Sequence, residues 1–175
     1  MKLTASGRER LTFTQTAPAG FDGDDDGTPL SVQLTTLTGA GAIVASDYTS
    51  ESGTYLGATD SDTAKDTILG PGANIEAYGA RNYTGKVSVL REYDADGSVD
   101  ADKDVLFAAI GERDVQGYWW QRVGKRGTAP WAAGDVGIVY HATTDVPKQP
   151  EDRNGFLKSD IKLSILKARN FVLAA

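Results

Sequence analysis

The chain has 175 residues, 40% hydrophobic and 24% charged, with twenty glycines and no cysteine. This suits one domain with its own core, and it excludes disulfides and thiolate metal sites. The net charge of −6 lies early: residues 1–66 hold four basic and ten acidic side chains, and residues 67–175 hold fourteen of each. A duplex-gripping protein needs a dense basic face to displace counterions, so this distribution argues against one, though not against a surface that DNA slides past. Residues 1–16 lack the apolar centre of a signal peptide, and no apolar run approaches the roughly 18 residues of a membrane span. Cysteine absence favours an intracellular setting or stability gained by assembly.

In chain order, residues 10–14 read as a short strand and residues 17–29 as a loop. Residues 30–34 alternate apolar and polar, the period of a half-buried strand. Residues 39–72 are rich in Gly, Ser, Thr and Asp, with Tyr48, Tyr55 and Leu56 scattered through them. A long loop of this kind is predicted, and its length suggests that something packs on it. Strands follow at 74–78 and 86–93, then a turn at 94–97. Asp100 or Asp102 is expected to cap a helix over about 102–110, with Val105, Leu106, Ala109 and Ile110 as its apolar stripe and Gly111 as its stop. Further strands are predicted at 115–123 and 136–142. The cleanest two-residue period sets Leu157, Ile161, Leu163 and Ile165 against Lys158, Asp160, Lys162 and Ser164. Its phase slips after Ile165, which predicts a bulge. Many strands and one helix give a mainly β domain over 1–175, an antiparallel β-sandwich or partial barrel with one flanking α-helix.

Catalytic constellations are missing from the residues. The single histidine, His141, has no cysteine to pair with and no Gly-x-Ser-x-Gly elbow to serve, and no phosphate-binding loop or dinucleotide fingerprint occurs. Two acidic runs resemble the start of a calcium loop, but their twelfth positions are Gln33 and Lys103 where a bidentate acid should close the site. Solvated turns account for both. Lys125 and Arg126 beside Trp120 and Trp131 are too few cations for nucleic-acid binding, and a hairpin tip with a tryptophan packed beneath it is expected. No catalytic residue, metal or cofactor is therefore assigned.

The order of elements over residues 62–175 carries a resemblance. Asn82-Tyr83-Thr84-Gly85-Lys86-Val87-Ser88-Val89 leads into Arg91-Glu92-Tyr93-Asp94-Ala95-Asp96-Gly97, then an acid-capped helix. Gly117-Tyr118-Trp119-Trp120-Gln121-Arg122-Val123-Gly124 and Ala132-Ala133-Gly134-Asp135 follow, and Phe171-Val172-Leu173-Ala174-Ala175 ends the chain. This resembles the major tail tube proteins of siphophages infecting actinobacteria. The resemblance implies a structural virion protein, not an enzyme, assembled in the host cytoplasm. It implies six-membered rings stacked into a tube for DNA ejection, with tape measure and tail terminator proteins as partners. It also implies that an N-terminal arm (here 1–29) and a long loop (39–72) bridge rings. On that basis Tyr48, Tyr55 and Leu56 are expected inter-ring contacts, and Glu76, Glu92 and Asp160 are expected acids lining the lumen. Two other readings stay open: another ring-forming tail or secretion-tube component, such as a terminator, and a monomeric β-sandwich module binding carbohydrate through Trp119, Trp120 and Trp131.

Overall fold

Ten strands and two short helices form over the residues that the computed structural model describes: 7–23, 27–60, 63–67, 74–78, 81–149 and 156–175. The strands are β1 Glu9–Thr14, β2 Leu30–Gln33, β3 Ala42–Ile43, β4 Tyr55–Thr59, β5 Thr63–Thr67, β6 Asn74–Tyr78, β7 Asn82–Leu90, β8 Gln116–Val123, β9 Val136–Thr144 and β10 Lys158–Ala174. The helices are α1 Thr35–Thr38 and α2 Val105–Ile110. One sheet takes the order β3-β1-β8-β9-β10-β7-β4, with β2 running parallel to the end of β10, and β5 and β6 form a separate two-stranded ladder. The fold is mainly β, as the sequence indicates.

The expectation of a sandwich or partial barrel resolves as a partial barrel made from one sheet. Ser46 Oγ accepts the Leu11 N–H at 2.5 Å, on the outer side of β1. A few residues later Tyr48 O accepts the Leu90 N–H and Ser50 N–H donates to Ser88 O, each at 2.8 Å, on β7. Residues 42–50 thus reach from one side of the sheet to the other. The predicted long loop over 39–72 is, in its described parts, this bridging segment plus β4 and β5. It reads as loop because its pairing depends on isolated contacts, such as the Thr49–Val89 bridge, that leave no two-residue period.

Strand β10 spans 17 residues and joins three ladders, with β7, β9 and β2. Its register with β9 shifts between Ile165 and Lys167, where the apolar phase slips in sequence. The shift lets Ile161 and Leu163 on one side of the bulge, and Ala168 on the other, enter the same core despite their opposite parity.

That core lies inside the barrel. Leu11 and Phe13, Val87 and Val89, Trp119, Tyr140 and Ala142 meet Leu106 and Ile110 of α2 there. Gly117 admits the Phe13 ring, since a Cβ on it would lie 2.2 Å from a Phe13 ring carbon. A second cluster forms on the outer surface of β8, β9 and the end of β10, where Tyr118, Trp120, Val139, Phe171 and Leu173 are covered by Phe21, β2, Leu37 and Trp131. Both tryptophan indoles in this layer are hydrogen-bonded at 2.9 Å, Trp120 to Thr14 Oγ1 and Trp131 to Thr12 Oγ1. Trp119 and Trp120 are fully buried and Trp131 nearly so, which removes the tryptophan platform that a carbohydrate module would need.

The helix is shorter than expected. Asp100 Oδ1 accepts the Asp102 and Lys103 N–H groups, so it caps the turn before α2. Asp104 holds the helix N-terminal position, but its carboxylate pairs with Arg91 Nη2 at 2.8 Å instead of capping. The Arg91 guanidinium also lies 3.5 Å over the Phe107 ring, which ties α2 to the end of β7.

Candidate assembly surfaces

Three regions of the barrel's exterior are available to other molecules. The first is the outer surface of β4, β7 and the first half of β10. Inward side chains here are Leu56, Val87, Val89, Ile161 and Leu163, so Tyr55, Lys86, Ser88, Asp160 and Lys162 point outward. Ser88 is itself buried, with Gly53 packed on it, and no apolar layer covers the other four among the described residues, in contrast to the surface over β8 and β9.

Asp160 sits in this bare surface but is not a free acid. Lys86 Nζ is 3.0 Å from Oδ2, and Ser88 Oγ donates to Oδ1 at 2.6 Å. Burial would raise the Asp160 carboxyl, but the hydrogen bonds from Ser88 and Lys86 and the charges of Lys86 and Lys158 outweigh it and hold its pKa below the ordinary value. With Lys158 and Lys162 at alternate positions on the same strand, this strip is cationic around Asp160. Glu92 is exposed just beyond β7, and Glu76 stands opposite Lys65 in the β5–β6 ladder. The three expected lumen acids therefore occupy three different settings.

The second region is the ribbon rooted in β4 and β7. Tyr55 pairs with Lys86 and Thr59 with Asn82, and in the next ladder Thr63 pairs with Tyr78 and Thr67 with Asn74. Equal numbers of residues separate the two ladders on both strands, so they share one register. Of the expected inter-ring residues, Tyr55 is 51% exposed at the ribbon root, and Tyr48 is half-buried against the barrel core. Leu56 is buried in that core, so its side chain is already used within the subunit and leaves nothing for a neighbour.

The third region is residues 124–135, a loop stapled from below. Arg122 is buried, donates to Asp135 Oδ2 at 2.6 Å and to the carbonyls of Arg126, Ala129 and Pro130, and lies 5.0 Å over the Trp131 ring. Lys125 Nζ takes the other Asp135 oxygen. Burial would raise the Asp135 carboxyl, yet the hydrogen bonds from Lys125, Arg122 and the Ala132 N–H outweigh it and hold its pKa below the ordinary value. The sequence leads one to expect a hairpin tip with a tryptophan packed beneath it; these residues join the antiparallel pair β8 and β9, and the buried Trp131 lies within them. Sequence spacing alone does not reveal the Arg122–Asp135 pair, because both side chains are charged and read as exposed.

The residues of chemical interest are elsewhere spent on structure. His141 stacks on Tyr118 at 4.8 Å, with Phe21 at its edge. Asp96 accepts from the Ser98 N–H and hydroxyl, which closes the turn at Gly97. The described residues thus form a mainly β subunit whose charged and aromatic side chains serve the fold. A model of the phage tail tube protein family matches residues 1–173, and the chain belongs to that family. The family is structural and not enzymatic, and it places the protein in the phage tail as a self-assembling tube component. No curated protein matches the chain.

Proposed function

We propose that six copies close into a ring and that rings stack into the tail tube through which DNA leaves the virion. The ribbon supports this most directly. Tyr55 is exposed where β4 pairs with β7, and the separate β5–β6 ladder lies next to these strands in sequence, an antiparallel pair that can serve a contact with a neighbouring ring. Tyr55 is the contact we assign there, with the half-buried Tyr48 as a second candidate on the bridging segment. Assembly takes place in the host cytoplasm, with the tape measure inside the tube and a terminator closing it.

The bare surface of β4, β7 and β10 suits a wet channel wall, since apart from Tyr55 at one place its exposed outward residues are mainly lysine, threonine and aspartate. DNA would pass it without a sequence-specific site, because contacts with phosphates carry no sequence information. A repelling acidic wall would have to come from Glu92 and Glu76, because Asp160 is offset by its lysines.

Electron microscopy of concentrated purified protein tests the reading. Six-fold rings and tubes are expected. Single rings that never stack would favour a terminator-like component, and particles of another symmetry would overturn the hexamer. Limited proteolysis within 55–86 should proceed in free subunits and stop in tubes. Equal cleavage in both would exclude the ribbon from the inter-ring contact.

A further inference from the structure

Exposed large apolar side chains gather at the two opposite ends of β10. At its C-terminal end Val172 pairs directly with Val136 of β9. Val123 lies two residues beyond the last β8–β9 pair, Gln121 with Ile138, so it falls opposite Val136 in the same register. All three point to the core side of the sheet but lie past the core. Val123 is 66% and Val136 61% exposed, and Val172 is also open. They form one apolar row across three neighbouring strands.

At the other end Phe156 and Leu157 precede β10 and are 82% and 64% exposed. The Arg91 N–H donates to Leu157 O, which brings the exposed Tyr93–Val99 bridge to the same end. Leu157 and Val172 are separated by roughly 50 Å of strand. Among the described residues, seven of the ten exposed large apolar side chains thus fall into two groups, one at each end.

Isolated exposed hydrophobes need no explanation, but an ordered row does. Interface cores are apolar and poor in lysine, which favours these ends over the lysine-bearing strip as contact surfaces. A tube grows by a repeating contact between two different patches, since a patch that meets its own copy closes at a pair. We propose that the Val123–Val136–Val172 row of one copy packs against the Phe156, Leu157, Tyr93 and Val99 group of the next. The occupant of each end is another copy of this chain. The proposal rests on the self-assembly reading and adds the pairing of ends.

Two variants test it, Val136→Asp and Leu157→Asp, purified separately and studied by sedimentation velocity. Each keeps one end intact. Each should fold with an unchanged melting temperature and stop at a small particle. Mixing them should give particles of twice that mass that do not elongate, because only one end-to-end contact can form. Val172→Asp with Phe156→Asp should behave the same way, which guards against misfolding of the first pair. Wild-type tubes with either variant alone, or no doubling on mixing, would overturn the pairing. Wild-type protein that never assembles would instead sink the tube reading on which it rests.

Discussion

Two halves of one sheet treat their outer surfaces differently. Over β8, β9 and the end of β10, the outward residues are Tyr118, Trp120, Val139 and Phe171, and the chain folds Phe21, β2 and Trp131 over them. Over β4, β7 and the start of β10 the outward residues include Lys86, Asp160 and Lys162, and no such layer covers these among the described residues. Backbone geometry is the same in both, so side-chain choice decides which surface is closed and which meets water or another molecule. Burying Trp120 removes a large apolar area from water, whereas burying Lys162 would strand a charge.

The largest expected effect is on the covered half. Trp120→Ala should cost about 3–5 kcal/mol of subunit stability, through the cavity and the lost contact with Phe171. Urea unfolding of the free subunit measures it, and a loss under 1 kcal/mol would mean that the outer layer is not tightly packed. Asp135→Ala should cost about 3 kcal/mol, because it leaves the buried Arg122 without its carboxylate. This contribution carries a pH signature. The folded Asp135 pKa is depressed, so its stabilisation is complete above the unfolded value of about 4 and is lost as pH falls through the folded value. The variant should lose that acid-side slope.

Effects on the bare half should be smaller. Asp160→Asn should cost about 1 kcal/mol, since its partners are partly exposed and screened. Its folded pKa is likewise depressed, so this stabilisation is also lost on acidification below about pH 4. Lys162→Ala should change subunit stability by less than about 0.5 kcal/mol. If Lys162→Ala proved as costly as Trp120→Ala, the distinction between the two halves would fail. If it were neutral for the subunit and altered DNA ejection across salt concentrations, the bare surface would be assigned to the channel.

Much of this contrast is legible in the sequence. The strict alternation from Lys158 to Ser164 marks a strand with one wet surface, and the phase slip after Ile165 marks the bulge. The unbroken run Tyr118-Trp119-Trp120 marks a strand buried on both sides. What covers the outer side is harder to read, because Phe21 sits alone in a polar loop and gives no period. Barrel closure by residues 42–50 is hidden for the same reason. Alternation places Asp160 outward, but only the register of β7 reveals that Lys86 and Ser88 stand beside it. Leu56 looks like a stray apolar residue in a polar stretch, and only pairing of β4 with β7 turns it into the core. The valine row escapes sequence reading altogether, since its three members are far apart in the chain and meet only through two ladders.

Each of the two ribbon ladders advances by a fixed step. A single-residue deletion in one strand would turn every later side chain on that strand to the opposite side. Deleting two residues from each strand at facing positions would keep the alternation and shorten the reach by roughly 7 Å. A graded set of such paired deletions would convert reach into a controlled variable, and on the proposed contact between rings a length at which stacking stops is expected.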